Sequence, residues 1–140
     1  MLQTPVVLLF GYRGAIIIIY ITVPVTTVTI TPAGDNNVVY IIEGQTQKFT
    51  CTTDSSRHAA LKQWYIGGQN VTNQATSQPP QQDGDKFISS SILAYTGRDV
   101  DHNTVIFCQA ANIEGRQKVK SAEISLYIQC MYYFLRIIFL

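Results

Sequence analysis

The side chains of this chain best suited to bond-forming or metal chemistry are few: Cys51, Cys108 and Cys130, with His58 and His102. Zinc sites need cysteine or histidine ligands recurring a few residues apart. Here the two histidines fall in different turn-like stretches, with no cysteine or carboxylate at ligand spacing. Asp99, Asp101 and His102 form a fragment of a catalytic triad, but no serine follows that a strained elbow would hold as nucleophile, so "DVDHN" reads as a surface turn. No glycine-rich phosphate cradle occurs. The basic stretch "EGRQKVK" lacks interleaved aromatics and reads as a solvated hairpin. These residues point to a binding protein and not an enzyme, with no cofactor and no metal site. What is left is thiol chemistry. Two of three cysteines can pair, and the third implies a free thiol, an intermolecular bond or an incomplete chain. Asn70-Val71-Thr72 is an acceptor triplet for N-glycosylation, a kind of triplet that also arises by chance.

The elements that must hold these residues read as strands. Apolar residues recur with period two and nowhere sustain the 3.6-residue spacing of a helix. In "TVIFCQA", Thr104, Ile106, Cys108 and Ala110 fall on one face; in "TQKFTCTT", Phe49 and Cys51 do; in "SAEISLYI", Ala122, Ile124, Leu126 and Ile128 do, with Glu123, Ser125 and Tyr127 opposite. Turn signals such as "PAGDNN", "IGG", "QDGD" and "TGRD" punctuate the runs. Short strands so spaced predict an antiparallel sandwich or barrel. Residues 67–85, with five glutamines and two prolines, read as a solvated loop with room for a short edge strand, or more sharply as a binding loop.

At 140 residues the chain holds one ordinary domain. Its net charge of +1 argues against nucleic acid as a partner. Of its 19 charged residues, 17 lie within 35–129, which divides the chain into an apolar start (1–25), a body (26–129) and an apolar tail (130–140). The start has the core length of a leader peptide, but only Arg13 for a basic region and no clear cleavage site. An anchor, an extra strand and an artefactual extension are the other readings. The tail is shorter than the roughly 20 residues of a spanning helix; it reads as half of such a helix or as sequence beyond the domain end. Membrane tethering through these ends stays open.

Cys51 and Cys108 both sit on apolar faces of different strands, with 56 residues between them, and Trp64 follows Cys51 by 13 residues on a third strand. A bridge between facing sheets requires such inward positions, and a tryptophan ring packs well upon it. Closing that loop stabilises the fold by about 4 kcal/mol in the chain-entropy picture.

This Cys51…Trp64…Cys108 spacing resembles the immunoglobulin superfamily. "EGQTQKFTC" looks like that family's strand B. "SSSILAYTGRDVDHNTVIFCQAANIEG" looks like its E–F corner and strand F, ending in Cys108, Ala110, Asn112 and Gly115. The resemblance implies an all-β, immunoglobulin-like two-sheet antiparallel sandwich with Greek-key topology, closer to a C2 or I set than a V set. It also implies a salt bridge between Arg98 and Asp101. Two positions depart from the pattern: Ile106 replaces the tyrosine of the tyrosine corner, and Lys62 stands where an apolar residue is usual, so a bulge turning Leu61 inward is expected.

In that family strands C, F and G share a sheet. Its outer face would then gather Tyr65, Val105, Phe107 and Tyr127, a cluster suited to a protein partner such as another immunoglobulin domain. The expected function is an extracellular or cell-surface recognition or adhesion module. The alternative is an intracellular structural domain with reduced cysteines and an unused sequon.

Overall fold

The computed structural model describes residues 10–12, 14–17, 22–113 and 117–130. In chain order its strands are β1 (Phe10–Tyr12), β2 (Ala15–Ile17), β3 (Val28–Thr31), β4 (Val38–Ile42), β5 (Thr46–Thr53), β6 (Leu61–Ile66), β7 (Gln69–Asn70), β8 (Ala75–Ser77), β9 (Gln81–Asp83), β10 (Lys86–Ile88), β11 (Ser90–Thr96), β12 (Val105–Ala111), β13 (Val119–Lys120) and β14 (Ile124–Gln129). One sheet has the order β3-β5-β11-β8. The other runs β4-β14-β12-β6-β7, with β13 also on β12. The chain crosses between them from β5 to β6 and from β11 to β12, which makes the all-β sandwich that the period-two patterning predicts, with the Greek-key topology that the immunoglobulin resemblance implies.

Alternation explains the core. β12 buries Ile106, Cys108 and Ala110 while Val105, Phe107 and Gln109 face the other way, and β5 buries Phe49, Cys51 and Thr53. Phe49, Trp64, Leu93, Ile106 and Leu126 close the space between the sheets. Ring and backbone polar groups inside are satisfied by serines of "SSS": Trp64 Nε1–H donates to Ser91 Oγ at 2.8 Å, and the Ala60 amide to Ser89 Oγ at 2.9 Å.

One pairing is not antiparallel. β4 runs parallel to β14, with Tyr40 beside Tyr127. A strand that arrives from the opposite sheet is not tied to its neighbour by a hairpin, so its direction is free. The tight turn Asp35–Val38, with Asn36 and Asn37 at positive φ, starts β4. Gly34 precedes it at φ +66°, where a Cβ would lie 2.0 Å from the Val38 carbonyl oxygen.

The packed body begins before residue 26. Val23 pairs with Arg57 through both backbone groups, and Val25 is buried in the core. Asn112 fixes this entry: its Oδ1 accepts the Val25 amide at 3.0 Å, and its Nδ2 donates to the carbonyls of Val23 and Arg57 at 2.7 and 2.8 Å. In the apolar start, β1 and β2 pair as a short antiparallel hairpin. The rest of the leader-like stretch before Thr22, and the tail beyond Cys130, lie outside the described residues. Among those described, no helix is long and apolar enough to cross a membrane.

Residues 67–85 are more ordered than their composition predicts. They supply β7, a single 3-10 turn (Thr72–Gln74), β8 and β9. β7 and β8 are edge strands, held by backbone ladders to β6 and β11 that need no apolar side chain.

Candidate functional site

The cysteine pair forms. Cys51 on β5 is bonded to Cys108 on β12, with 6.3 Å between their Cα atoms, and both are fully buried. Trp64 is the direct cross-strand neighbour of Cys108 on the same inner face. Cys130 is free and exposed.

Three sequence expectations fail around this frame. β6 has no bulge: its register with β12 is continuous from Leu61 opposite Ala111 to Ile66 opposite Ile106. Leu61 therefore points outward, 82% exposed. Lys62 keeps the inward row and reaches past it, donating from Nζ to the Ala60 carbonyl at 3.1 Å. Burial lowers the pKa of its ammonium from the ordinary lysine value. The bulge lies elsewhere. Gln109 is opposite Lys120 and Ile106 opposite Ile124, so Phe107 and Cys108 face three residues, Ser121 to Glu123. Ser121 turns in, its Oγ accepting the Cys108 amide at 3.0 Å, and Ala122 turns out to solvent instead of sharing the inner row.

The third failure is the Arg98–Asp101 salt bridge, which is not among the ion pairs of the described residues. Tyr95 takes up the Asp101 carboxylate: its hydroxyl donates to Asp101 Oδ2 at 2.8 Å and accepts the backbone amide of Arg98 at 3.2 Å. Burial foremost, and then the Asp101 contact, push the Tyr95 hydroxyl up to about 12. Ile106 leaves the usual tyrosine position empty, and Tyr95 on β11 holds the turn in its place. The ion pairs that do form among the described residues are Arg57–Asp85, with Arg57 beside Asn112 past the far end of β12, and Lys120–Glu123.

His102 and Asp101 each have a structural partner. His102 Nδ1 accepts the Ile128 amide at 3.1 Å, and Asp101 is engaged by Tyr95. No group of three or more His, Cys, Asp or Glu side chains among the described residues could hold a metal ion.

The outer face of β4, β14, β12 and β6 is the remaining candidate. Tyr65 and Phe107 are register partners and stack with centroids 5.1 Å apart and planes 12° from parallel. Lys120 Nζ lies 3.9 Å over the Phe107 ring. Beside them Gln63 Oε1 accepts from Gln109 Nε2 at 3.0 Å and from Lys118 Nζ at 2.7 Å. Val105 continues the row on β12, half-buried like Tyr65 and Phe107. Tyr127 does not join that stack. It contacts Tyr40 at 5.1 Å and His102 at 4.4 Å, forming a second aromatic group on the neighbouring strands β14 and β4, offset along them from Phe107. Tyr40, 62% exposed, is the residue that sequence reasoning missed. Its signal is present in "DNNVVYII", an Asn-Asn turn followed by alternation that places Val39 and Ile41 inward and Tyr40 out.

A sandwich bridged between its sheets beside a single buried tryptophan is an immunoglobulin-like domain. More narrowly, residues 27–119 match the CD80-like C2-set immunoglobulin domain family, and the chain belongs to it. Over 69 residues, 49% of this chain and 16% of that protein, it is 30% identical to cell adhesion molecule 2 of Xenopus tropicalis. Among solved structures it is similar to Rst D1-D2, with 26% identity and a TM-score of 0.67 over 77% of this chain and 51% of that one. It shares the fold of the mouse nectin-like molecule 4 ectodomain (Ig1–Ig3), with 18% identity and a TM-score of 0.58 over 78% of this chain and 35% of that one. The matched stretch thus spans about half or less of each of these relatives.

Proposed function

We propose that this domain is an extracellular or cell-surface recognition module of the adhesion type, and that the outer face of β4, β14, β12 and β6 receives a protein partner, a second immunoglobulin domain fitting it best. The observation that carries the reading is the pair of aromatic groups on one continuous sheet face, Tyr65–Phe107 and Tyr40–Tyr127. Aromatic side chains offer large contact area at small entropic cost, and such anchors dominate protein interfaces. The flanking Lys118 and Lys120 suit a partner with acidic groups at its rim. The similarity to a cell adhesion molecule supports an adhesive role. The formed Cys51–Cys108 bridge supports an oxidising compartment over the intracellular structural alternative.

The test replaces Phe107 with Asp and measures self-association of the purified domain by sedimentation, with a second copy of the chain as probe. A lost or much weakened association, with unchanged folding by circular dichroism, is the expected result. An association constant equal to that of the unaltered domain refutes the face. No measurable association of the unaltered domain refutes the like-with-like form of the partner.

A further inference from the structure

The sequon lies against the same face. β7 is the edge strand of its sheet, and its register with β6 sets Asn70 directly opposite Tyr65. Opposed residues of an antiparallel pair project to one side. Tyr65 stands between the buried Trp64 and Ile66, so it and Asn70 both project outward. Asn70 is exposed. Its Oδ1 accepts the Thr72 amide at 3.0 Å, and Thr72 Oγ1 in turn accepts the Trp64 amide at 2.9 Å, which fixes the triplet against β6. Among the described residues Asn70 Nδ2 has no protein partner.

We propose that Asn70 carries an N-linked glycan that stands beside Tyr65, partly covers the β6 edge of the outer face and leaves a partner to approach from the β12–β14–β4 side. This rests on the reading of that face as the recognition surface. In the modification, Nδ2 attacks the anomeric carbon of a lipid-diphosphate-linked oligosaccharide; the C–N bond forms, the C–O bond to the diphosphate breaks, the diphosphate leaves and one amide proton is released. Strands lie about 4.8 Å apart, so Phe107 is roughly 10 Å from Asn70, while Tyr40 is roughly 19 Å away across the sheet and a further four residues along the strands. A bulky hydrated chain bears most on Tyr65, less on Phe107 and least on Tyr40. At the same position it covers an unpaired edge that would otherwise accept a further strand.

The experiment compares the chain secreted from a glycosylating eukaryotic host with its Asn70→Asp and Asn70→Gln variants. Asp keeps an oxygen to accept the Thr72 amide while removing the nitrogen, so a folding defect in the Gln variant alone does not confuse the outcome. Intact mass reads occupancy, and hydroxyl-radical footprinting reads Tyr65, Phe107, Tyr127 and Tyr40. Expected are an occupied Asn70, Tyr65 oxidised severalfold less in the glycosylated protein than in Asn70→Asp, a smaller effect at Phe107 and none at Tyr40. An unmodified Asn70, or equal Tyr65 reactivity with and without the glycan, overturns the proposal. Failure of the recognition reading is separate: it shows as self-association that Phe107→Asp leaves intact, whatever the footprint.

Discussion

β6, β12 and β14 each carry two rows of side chains, and the two rows obey different rules. The inner row holds Trp64, Ile106, Cys108, Ile124 and Leu126, all fully buried. The outer row on the same strands and their neighbour β4 holds Tyr65, Phe107, Tyr127 and Tyr40, half-buried or exposed. Both rows are rich in large apolar groups, so hydrophobicity does not separate them. Satisfaction does. Inside, the indole N–H and the strand amides find serine hydroxyls. Outside, Tyr40 packs on Tyr127 and Tyr65 on Phe107, the Tyr65 hydroxyl meets only the side chains of Gln63 and Gln109 among the described residues, and contact area stays open to a partner. The inner row stabilises the sandwich, and the outer row is free to be selected for what it touches.

The largest expected effect comes from the bridge. Replacing Cys51 and Cys108 together by alanine costs about 4 kcal/mol of stability, read as a lower denaturation midpoint. A loss near zero would mean that the inner row stands without its staple, and the contrast between the rows would collapse. A smaller effect is expected at the E–F turn. Tyr95→Phe removes the hydrogen bonds to Asp101 and from Arg98 and costs about 1–2 kcal/mol. Because the folded Tyr95 hydroxyl is raised to about 12, above the ordinary 10, its contribution is fully present below pH 10 and is lost as pH rises toward 12. Alkaline unfolding curves of the wild-type domain should show that loss, and those of the Phe variant should lack it. The smallest effect has the opposite sign. Lys62 is the charged exception in the inner row of β6, and Lys62→Leu should raise stability by about 0.5–1 kcal/mol. A destabilised Leu variant would show that the ammonium-to-Ala60 contact outweighs its burial.

Much of the inner row was legible because period two is a strong signal and a cysteine or tryptophan on an apolar face has few alternatives. Cys51, Cys108 and Trp64 fall where alternation sets them. The two errors of register, at Leu61–Lys62 and at Ala122, share a cause. One inserted residue reverses every side chain after it, and nothing local marks where it goes. A bulge expected at Leu61 and Lys62 lies instead at Ser121–Glu123, where a serine hydroxyl serves the Cys108 amide. The Arg98–Asp101 pair failed for a different reason: the competitor, Tyr95, is close in sequence but becomes relevant only when its strand turns inward. In the outer row, alternation in "DNNVVYII" marks Tyr40 as outward, but not its place beside Tyr127, because its strand joins the sheet by a parallel pairing with β14, a contact between residues 87 positions apart.

Trp64 has one more consequence. It is the chain's sole tryptophan, and it is wholly shielded from water. Indole emission shifts to longer wavelength when water reaches the ring, so the domain carries an intrinsic optical reporter at its centre. Its eight tyrosines include the outer-face cluster. Excitation selective for tryptophan would therefore follow the interior without interference from events at the surface, and a ligand could be titrated onto the face while the same cuvette records whether the centre stays dry.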